Sequence, residues 1–225
     1  MPMRIPAPGA LAAAFARDGV AILPPLLTDD ECDGLADLVA TEVPTAAGSR
    51  CMLELAHVRD TAVRLAAHPA VAALLPAGAR AIQCALFAKT AATNWYVPPH
   101  QDLSVPVALR HQRPGWSGWA VKEGIWFAQP PVATLDGVVA LRVQLDPDSA
   151  NTGPMEVVPG SHRLGRLSHA EVLATAHGSL VPCHVERGGA LAMRPLVVHA
   201  SGKARAETPR RVLHFVYAAG DLAAM

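Results

Sequence analysis

Beyond residue 80 the chain consists of short runs of β-branched, aromatic and other apolar residues, each closed by a turn sequence. The runs are AIQCALFAK, IWFAQ, GVVALRVQL, MEVVP, LVPCHVE, ALAMRPLVVHA and RVLHFVYA, and the turns include NTGP, PGS, RGG and SGK. Short strands with irregular turns favour antiparallel sheets folded into a barrel or jelly roll over parallel βαβ units. The sequence therefore predicts a mostly β core built from many short strands.

The run GVVALRVQL shows the two-residue alternation of a strand whose two faces differ. Val139, Leu141, Val143 and Leu145 alternate with Ala140, Arg142 and Gln144. Because successive side chains point to opposite sides of a strand, the first set predicts a buried apolar face. The other face is either exposed to solvent or lines the mouth of a barrel, where Arg142 would contact a substrate. Both interpretations stay open.

The segment before residue 80 is predicted to be mainly helical. The stretch TDDECDGLADLVATEV begins at Thr28, and Glu31 lies three residues later, which is the capping-box arrangement of a helix start. Further short helices are expected at 9–17, around 58–67 and around 69–75, and GVAILPPLL is expected to be extended. The β core is therefore expected to carry flanking α-helices.

The length of 225 residues fits one domain with a substantial core. We expect residues 1–225 to form that domain, with a mainly helical part at 1–79 and a jelly-roll core at 80–218. The 19 basic and 19 acidic residues cancel, so neither nucleic acid nor an anionic membrane is an expected partner. The expected partner is a small-molecule substrate, and the sequence does not indicate an oligomeric state.

The sequence also favours a cytoplasmic location. No apolar run reaches the roughly 18 residues of a membrane span. The alanine-rich start is broken by prolines and by Arg17–Asp18, unlike the apolar part of a signal peptide. The cysteines are scattered without a CxxC pair, at Cys32, Cys51, Cys84 and Cys183, which is typical of free thiols in a reducing compartment.

The stretch PPHQDLSVPV, residues 98–107, contains a candidate metal-binding pair. His100 and Asp102 are separated by one residue, and the preceding prolines favour extended backbone, so both side chains point to one face. An imidazole and a carboxylate are two of the three ligands of the facial triad that holds Fe(II). Alone, however, such a pair is more often a polar turn or strand end, and a third ligand has to come from elsewhere.

The best candidate for that ligand is His199, where the apolar run MRPLVV leaves the core for the turn ASGK. On position alone, His162, His184 and His214 stay open. Arg210, eleven residues beyond His199, begins the next strand, and a guanidinium can bind a carboxylate through two parallel hydrogen bonds. Its neighbour Arg211 must face the opposite side of that strand. One of the two should point inward and the other to solvent, and alternation alone leaves both assignments open.

Three segments in combination resemble the phytanoyl-CoA dioxygenase family: HQD (100–102), NTGPMEVVPGSHRLG (151–165) and HASGKARAETPRRVLHFVY (199–217). The resemblance covers 80–218 well and the N-terminal helices more loosely. It implies a double-stranded β-helix, a cupin-like jelly roll, and an oxygenase that uses Fe(II), 2-oxoglutarate and O₂. The chain departs from the family after the distal histidine, where an asparagine is frequent and this sequence reads KARAE.

The resemblance also implies roles for individual residues. His100, Asp102 and His199 would be the catalytic iron ligands, and Arg210 would bind the C5 carboxylate of 2-oxoglutarate. The family spacing thus favours Arg210 as the inward residue and Arg211 as the one that points to solvent. Gln83 and Lys89 match positions that line the cosubstrate pocket in related members. The implied reaction is hydroxylation, or a related C–H oxidation, of a small organic substrate such as a biosynthetic intermediate.

The tryptophan-bearing segment 110–124 is expected to be a long loop, either a mobile lid or a disordered connection. Trp116 and Trp119 in it are candidate substrate contacts, or else anchors packed on the barrel. Two other functions stay open: a cupin-like metal-dependent hydrolase or isomerase, and a non-catalytic ligand-binding barrel. A carboxylate clamp at Arg210 favours the oxygenase over both.

Overall fold

The computed structural model describes residues 2–7, 9–43, 48–90, 93–205, 209–220 and 222. Ala206 and Glu207, which belong to the departing turn KARAE, lie outside these residues. The described α-helices are α1 (Leu11–Asp18), α2 (Asp29–Glu42), α3 (Ala56–Ala67), α4 (Pro69–Ala72), α5 (Val132–Leu135) and α6 (His169–Ala176), with 3₁₀ turns at Met52–Glu54 and Ser161–Leu164. None of the described helices is long and apolar enough to cross a membrane.

The strands follow the predicted pattern of short segments. They are β1 (Val20–Leu23), β2 (Gly48–Ser49), β3 (Arg80–Lys89), β4 (Val97–His100), β5 (Val105–Val107), β6 (Ser117–Lys122), β7 (Ile125–Gln129), β8 (Val138–Gln144), β9 (Met155–Val157), β10 (Val181–Cys183), β11 (Ala190–Met193), β12 (His199–Ser201) and β13 (Arg210–Ala218). The run ALAMRPLVVHA forms both β11 and β12, with a turn between them.

Two antiparallel sheets form the jelly roll. The major sheet has the order β1-β11-β8-β13-β3-β2, and the minor sheet has the order β10-β9-β12-β4. Pro98 and Pro99 lie within β4, which is an edge strand of the minor sheet, as strands containing proline must be because proline cannot donate to a sheet hydrogen bond. The predicted fold class, a mostly β double-stranded β-helix with flanking helices, is confirmed.

The two faces of the major sheet have different environments. Its outer face packs against α1 to α4 in one apolar core that includes Leu141, Leu213 and Phe215. Its inner face turns toward the minor sheet and carries Arg142 and Gln144, which are only 9% and 2% exposed. The predicted apolar face of β8 is therefore confirmed, and the interpretation that its other face is exposed is wrong.

The helical part before residue 80 is not a separate layer. Both halves of the predicted capping box are present at the start of α2, since Glu31 N donates to Thr28 Oγ1 and Thr28 N donates to Glu31 Oε2. However, β1 and β2 also come from this part and extend the major sheet at its two edges. The helices and the jelly roll thus share one sheet and one core.

The expectation of a long loop at 110–124 is wrong for its second half. There, β6 pairs with β7, and β7 pairs with β5, in a small third sheet. Glu123 and Gly124 link the two strands with positive φ angles of 51° and 79°, the conformation of a type I′ hairpin turn. Glutamate is an unusual first residue for that turn, which is why the sequence gives little indication of a hairpin.

Candidate active site

Strand pairing in the minor sheet brings His100 and His199 together. β12 runs antiparallel to β4 with His199 directly opposite His100, and the two imidazole centroids lie 4.1 Å apart. Asp102 follows β4 and is positioned by its backbone N–H, which donates to Pro195 O at 2.9 Å. Its carboxylate oxygens lie 3.7 Å from His100 Nε2 and 3.6 Å from His199 Nε2. One ion can therefore contact all three side chains.

Backbone carbonyls set the tautomer of both histidines. His100 Nδ1 lies 2.8 Å from Pro98 O, and His199 Nδ1 lies 2.9 Å from Val197 O. A carbonyl oxygen only accepts hydrogen bonds, so each Nδ1 is the donor and each Nε2 keeps its lone pair. These lone pairs are available where Asp102 also presents its oxygens, which is the donor set of a divalent metal site.

The protonation states also suit metal binding. Burial lowers the pKa of His199 to about 4, so this imidazole is neutral at physiological pH. For Asp102, burial alone would raise the pKa, but His199, His214, His100 and Arg142 together outweigh it and hold the pKa below its usual value. His199 is thus available as a neutral imidazole and Asp102 as a carboxylate, and neither first has to lose a proton.

Gln101, between the two candidate ligands, points to the other side and fixes the segment. Its Nε2 donates to Gly165 O and to Leu196 O, both at 2.8 Å, and its Oε1 accepts from Leu167 N at 2.9 Å. The amide is buried and uses three of its four hydrogen-bonding positions. Sequence reasoning assigned no role to Gln101, although its place between two residues of one face implies the opposite orientation.

The His–Asp–His cluster opens into a cavity of about 450 Å³ between the two sheets. This size is in the usual range for small-molecule sites, roughly 300–1,000 Å³. One end of the cavity is cationic, because Lys89 and Arg210 face each other across the β3–β13 pair and are 3% and 4% exposed. Ser201, two residues beyond His199 on the same face of β12, lies at this end and accepts from Lys89 Nζ at 2.8 Å.

The charge of Arg210 is only partly compensated by the protein. Its Nε lies 3.5 Å from Asp148 Oδ1 and has no hydrogen-bond partner among the described residues. Asp148 Oδ1 also accepts from Ser149 N and from Thr152 Oγ1, and Asp148 Oδ2 has no hydrogen-bond partner among the described residues. Burial, then the charges of Arg210 and Arg142, lowers the pKa of Lys89 to about 8. Cations that destabilise one another in this way form a binding site for an anion.

Arg211 faces the outside of the sheet, as an alternating strand requires. Its Nε and Nη2 donate to Asp146 Oδ2 and Oδ1 at 2.9 and 2.6 Å, and its Nη1 donates to Ala36 O on α2 at 3.2 Å. The expectation that it points to solvent is only partly right, because its side chain is 24% exposed. Arg211 joins β13 to α2 and is not part of the cavity wall.

The other candidate residues are separated by the structure. Arg142 and Gln83 line the cavity. Gln83, however, lies six residues before Lys89 on β3, roughly 20 Å away along a strand, so the two cannot hold one small anion. Trp116 and Trp119 are absent from the cavity wall and pack around His111, with ring centroids 4.6 and 4.9 Å from it. They are anchors of the small third sheet.

Sequence comparison assigns the family. The family model described as phytanoyl-CoA dioxygenase (PhyH) matches residues 15–212, which is most of the chain. The chain belongs to the phytanoyl-CoA dioxygenase family. It is therefore an enzyme of the Fe(II)/2-oxoglutarate-dependent oxygenase superfamily. A search by sequence among curated proteins gives no match.

Solved structures with a similar fold include several enzymes of this superfamily. The epimerase SnoN, in complex with Fe³⁺, α-ketoglutarate and nogalamycin RO, has a TM-score of 0.70 and 19% identity over 94% of this chain and 84% of its own. The carbocyclase SnoK from nogalamycin biosynthesis has a TM-score of 0.69 and 15% identity over 93% and 83%. HygX from Streptomyces hygroscopicus, with nickel and 2-oxoglutarate bound, has a TM-score of 0.66 and 16% identity over 93% and 86%. At these identities the likeness concerns the fold alone.

Proposed function

We propose that this member of the phytanoyl-CoA dioxygenase family couples oxidative decarboxylation of 2-oxoglutarate to hydroxylation, or a related C–H oxidation, of a small organic substrate. The observation that carries the proposal is that one cavity contains both the His–Asp–His cluster and the buried Arg210–Lys89 pair. A metal-dependent hydrolase or isomerase needs the cluster but has no need of a buried site for a second anion. A non-catalytic barrel needs neither.

His100, Asp102 and His199 are the proposed Fe(II) ligands. Three ligands on one side leave the remaining positions of the metal for cosubstrate and O₂. When bound, the iron supplies O₂ activation, and 2-oxoglutarate supplies two electrons on conversion to succinate and CO₂. The chain holds the two Nε2 lone pairs in place through the Nδ1 bonds to backbone carbonyls, and Gln101 fixes the segment that carries two of the three ligands.

Arg210 is the proposed site for the C5 carboxylate of 2-oxoglutarate, with Lys89 and Ser201 as further contacts. A carboxylate there would neutralise two buried cations and accept from the Arg210 guanidinium, whose Nε is free of any described hydrogen-bond acceptor. Gln83 lies too far along β3 for this site, so we assign it to the part of the cavity that takes the organic substrate.

The proposed outcome is oxygen insertion because Asp102 fills the carboxylate position of the triad. A small residue there would leave space for a halide, whereas Asp102 occupies it and is held by its bond to Pro195 O. The similar folds of an epimerase and a carbocyclase show that the fold itself does not decide the reaction. The position of the substrate carbon relative to the metal decides it.

We propose further that the described elements form one domain and that the protein is cytoplasmic. The outer face of the major sheet and helices α1 to α4 share one apolar core, so neither part has a complete core without the other. Cys32, Cys51, Cys84 and Cys183 are free thiols, as expected in a reducing compartment.

The function is tested by adding Fe(II) and 2-oxoglutarate anaerobically and recording the weak visible charge-transfer band of the chelate, together with calorimetric titration of 2-oxoglutarate. The wild-type protein should give both signals, and the matched variant His199→Ala should give neither. Exposure to O₂ with a panel of metabolites should then release succinate, with one atom of ¹⁸O₂ entering the product. A wild-type protein that gives no band and binds no 2-oxoglutarate contradicts the proposal.

A further inference from the structure

Arg142 is a buried cation whose described contacts include no carboxylate. It lies on the inner face of β8, is 9% exposed and lines the cavity. Its Nη1 lies 2.9 Å from His214 Nδ1, and its guanidinium lies 5.1 Å from the centroid of the Phe87 ring. Asp102 and Asp148 act on Arg142 electrostatically, but no described carboxylate forms a hydrogen bond with it. A buried guanidinium in this state favours the binding of an anion, because an uncompensated buried charge is unfavourable.

His214 cannot be that anion and instead adds a second donor. A guanidinium only donates, so His214 Nδ1 accepts from Arg142 and the proton of the neutral imidazole is on Nε2. Burial, together with the charge of Arg142, lowers the pKa of His214 to about 3, which keeps the ring neutral. His214 also lines the cavity, so Arg142 and His214 together form a wall of hydrogen-bond donors.

This wall is related to both the Arg210 end and the His–Asp–His cluster, to the first by strand register and to the second by the mutual electrostatic effect of Arg142 and Asp102. Arg142 on β8 is opposite His214 on β13. His214 lies four residues after Arg210, which is roughly 13 Å along the strand. Its guanidinium leans over Phe87, which is opposite Val212, midway between Arg210 and His214. Both Arg210 and Asp102 act electrostatically on Arg142. An anion spanning from Arg210 to the metal ligands therefore passes Arg142.

The buried charges of the cavity favour a bound dianion such as 2-oxoglutarate. The buried cations Lys89, Arg142 and Arg210 contribute three positive charges, Asp102 and Asp148 contribute two negative ones, and Arg50 and Lys122 are further cations in the cavity wall. A divalent metal at the cluster increases the positive excess. A carboxylate at Arg210 compensates only one end of the cavity, and the excess at the other end is centred on Arg142.

We propose that Arg142, supported by His214, binds the C1 carboxylate of 2-oxoglutarate, so that the cosubstrate is held by an arginine at each end. The inference rests on the proposed function of this cavity. It assigns Arg142 to the cosubstrate and not to the organic substrate, and it makes Arg142 a residue that orients the 2-oxo acid group toward the metal ligands.

The test uses two ligands that share the C1 end. 2-Oxoglutarate and 2-oxopentanoate both carry a 2-oxo acid group, but 2-oxopentanoate has a methyl group in place of the C5 carboxylate. Calorimetry on Ni(II)-loaded protein should show that Arg142→Gln lowers the affinities for both ligands by the same factor, about 10- to 100-fold, which is the usual effect of losing a charge-assisted hydrogen bond. Arg210→Gln should lower the affinity for 2-oxoglutarate and leave the affinity for 2-oxopentanoate unchanged.

Two further variants separate the local contact from a general effect. Lys122→Gln removes a cation from the rim of the same cavity, where Lys122 lies 5.0 Å from the Phe127 ring, and should leave both affinities unchanged. Arg142→Lys keeps the charge without the planar fork and should give intermediate affinities. Nickel content and thermal unfolding identify any variant that has lost its fold.

The inference is overturned if Arg142→Gln weakens only 2-oxoglutarate, since the contact would then be with the C5 carboxylate. It is also overturned if Arg142→Gln leaves the affinities for both keto acids unchanged. One such case would be a variant in which only the stimulation of succinate release by carboxylate-bearing substrates is lost, since Arg142 would then contact the organic substrate. Failure of the wild-type protein to bind either keto acid would overturn the proposed function and this inference together. If the wild-type protein binds both keto acids and Arg142→Gln binds them equally well, the inference alone is overturned and the proposed function stands.

Discussion

Arg210 and Arg211 are neighbours on β13 but face opposite sides of the major sheet, so changing each to glutamine tests two separate roles. Arg210 lies in the cavity with Lys89, and its Nε lies 3.5 Å from Asp148 Oδ1. Arg211 lies outside the barrel, and Asp146 accepts from its side chain and from its backbone N–H. One variant should therefore change ligand binding and the other should change stability.

For Arg210→Gln the expected loss is that of a charge-assisted carboxylate contact, about 1.5–3 kcal/mol, which raises the Kd for 2-oxoglutarate roughly 10- to 100-fold. The effect should stop there because Lys89 and Ser201 stay in place. For Arg211→Gln the loss is two side-chain bonds to Asp146 and one to Ala36 O, in a side chain that is about a quarter exposed. Screening by solvent limits the decrease in unfolding free energy to about 1–2 kcal/mol.

The assay is calorimetric titration of 2-oxoglutarate into metal-loaded protein, combined with urea unfolding of each variant. Arg211→Gln should shift the urea midpoint and leave the Kd unchanged, which makes it the matched control for Arg210→Gln. The reasoning is refuted if Arg211→Gln destroys 2-oxoglutarate binding while Arg210→Gln preserves it, because the inward face of β13 would then have been assigned wrongly.

Three other predictions concern single residues of the site. Asp102→Ala should abolish stoichiometric retention of Fe(II), measured by metal analysis after gel filtration, because the two imidazoles alone form an incomplete site; full retention would contradict the proposed ligand set. Lys89 has a pKa of about 8, so it is protonated below pH 8 and loses its charge above it, and 2-oxoglutarate affinity should fall by up to about tenfold per pH unit above pH 8. Lys89→Arg should remove that dependence, and an unchanged pH profile would argue against a Lys89 contact. Gln101→Leu should lower the unfolding free energy by about 1–3 kcal/mol, measured in urea, because it leaves Gly165 O, Leu196 O and Leu167 N without their partner; an unchanged midpoint would show that the amide is dispensable.

Sequence reasoning was most successful where a local pattern has one structural solution. The capping box of α2 and the alternation along β8 depend only on neighbouring residues, and both are found in the structure. Contacts made by pairing of distant strands are different, since Ser201 reaches Lys89 only through the packing of the minor sheet against the major sheet. Trp116 and Trp119 left two interpretations open for a related reason: a tryptophan in an irregular segment has no periodicity that indicates which side it faces.

Strand β13 shows how the fold tolerates so many buried charges. Leu213, Phe215 and Tyr217 project outward into the apolar core shared with the helices, and Tyr217 Oη donates to Ala62 O at 2.9 Å on α3. Arg210 and His214 project inward from the same strand. Because side chains alternate strictly, the outward contacts that fix the register also aim the inward groups. The outer core thus supplies stability that the inner face, whose buried cations are only partly compensated, does not supply. Binding of metal and 2-oxoglutarate should stabilise the folded state further, because the carboxylates of 2-oxoglutarate compensate those charges.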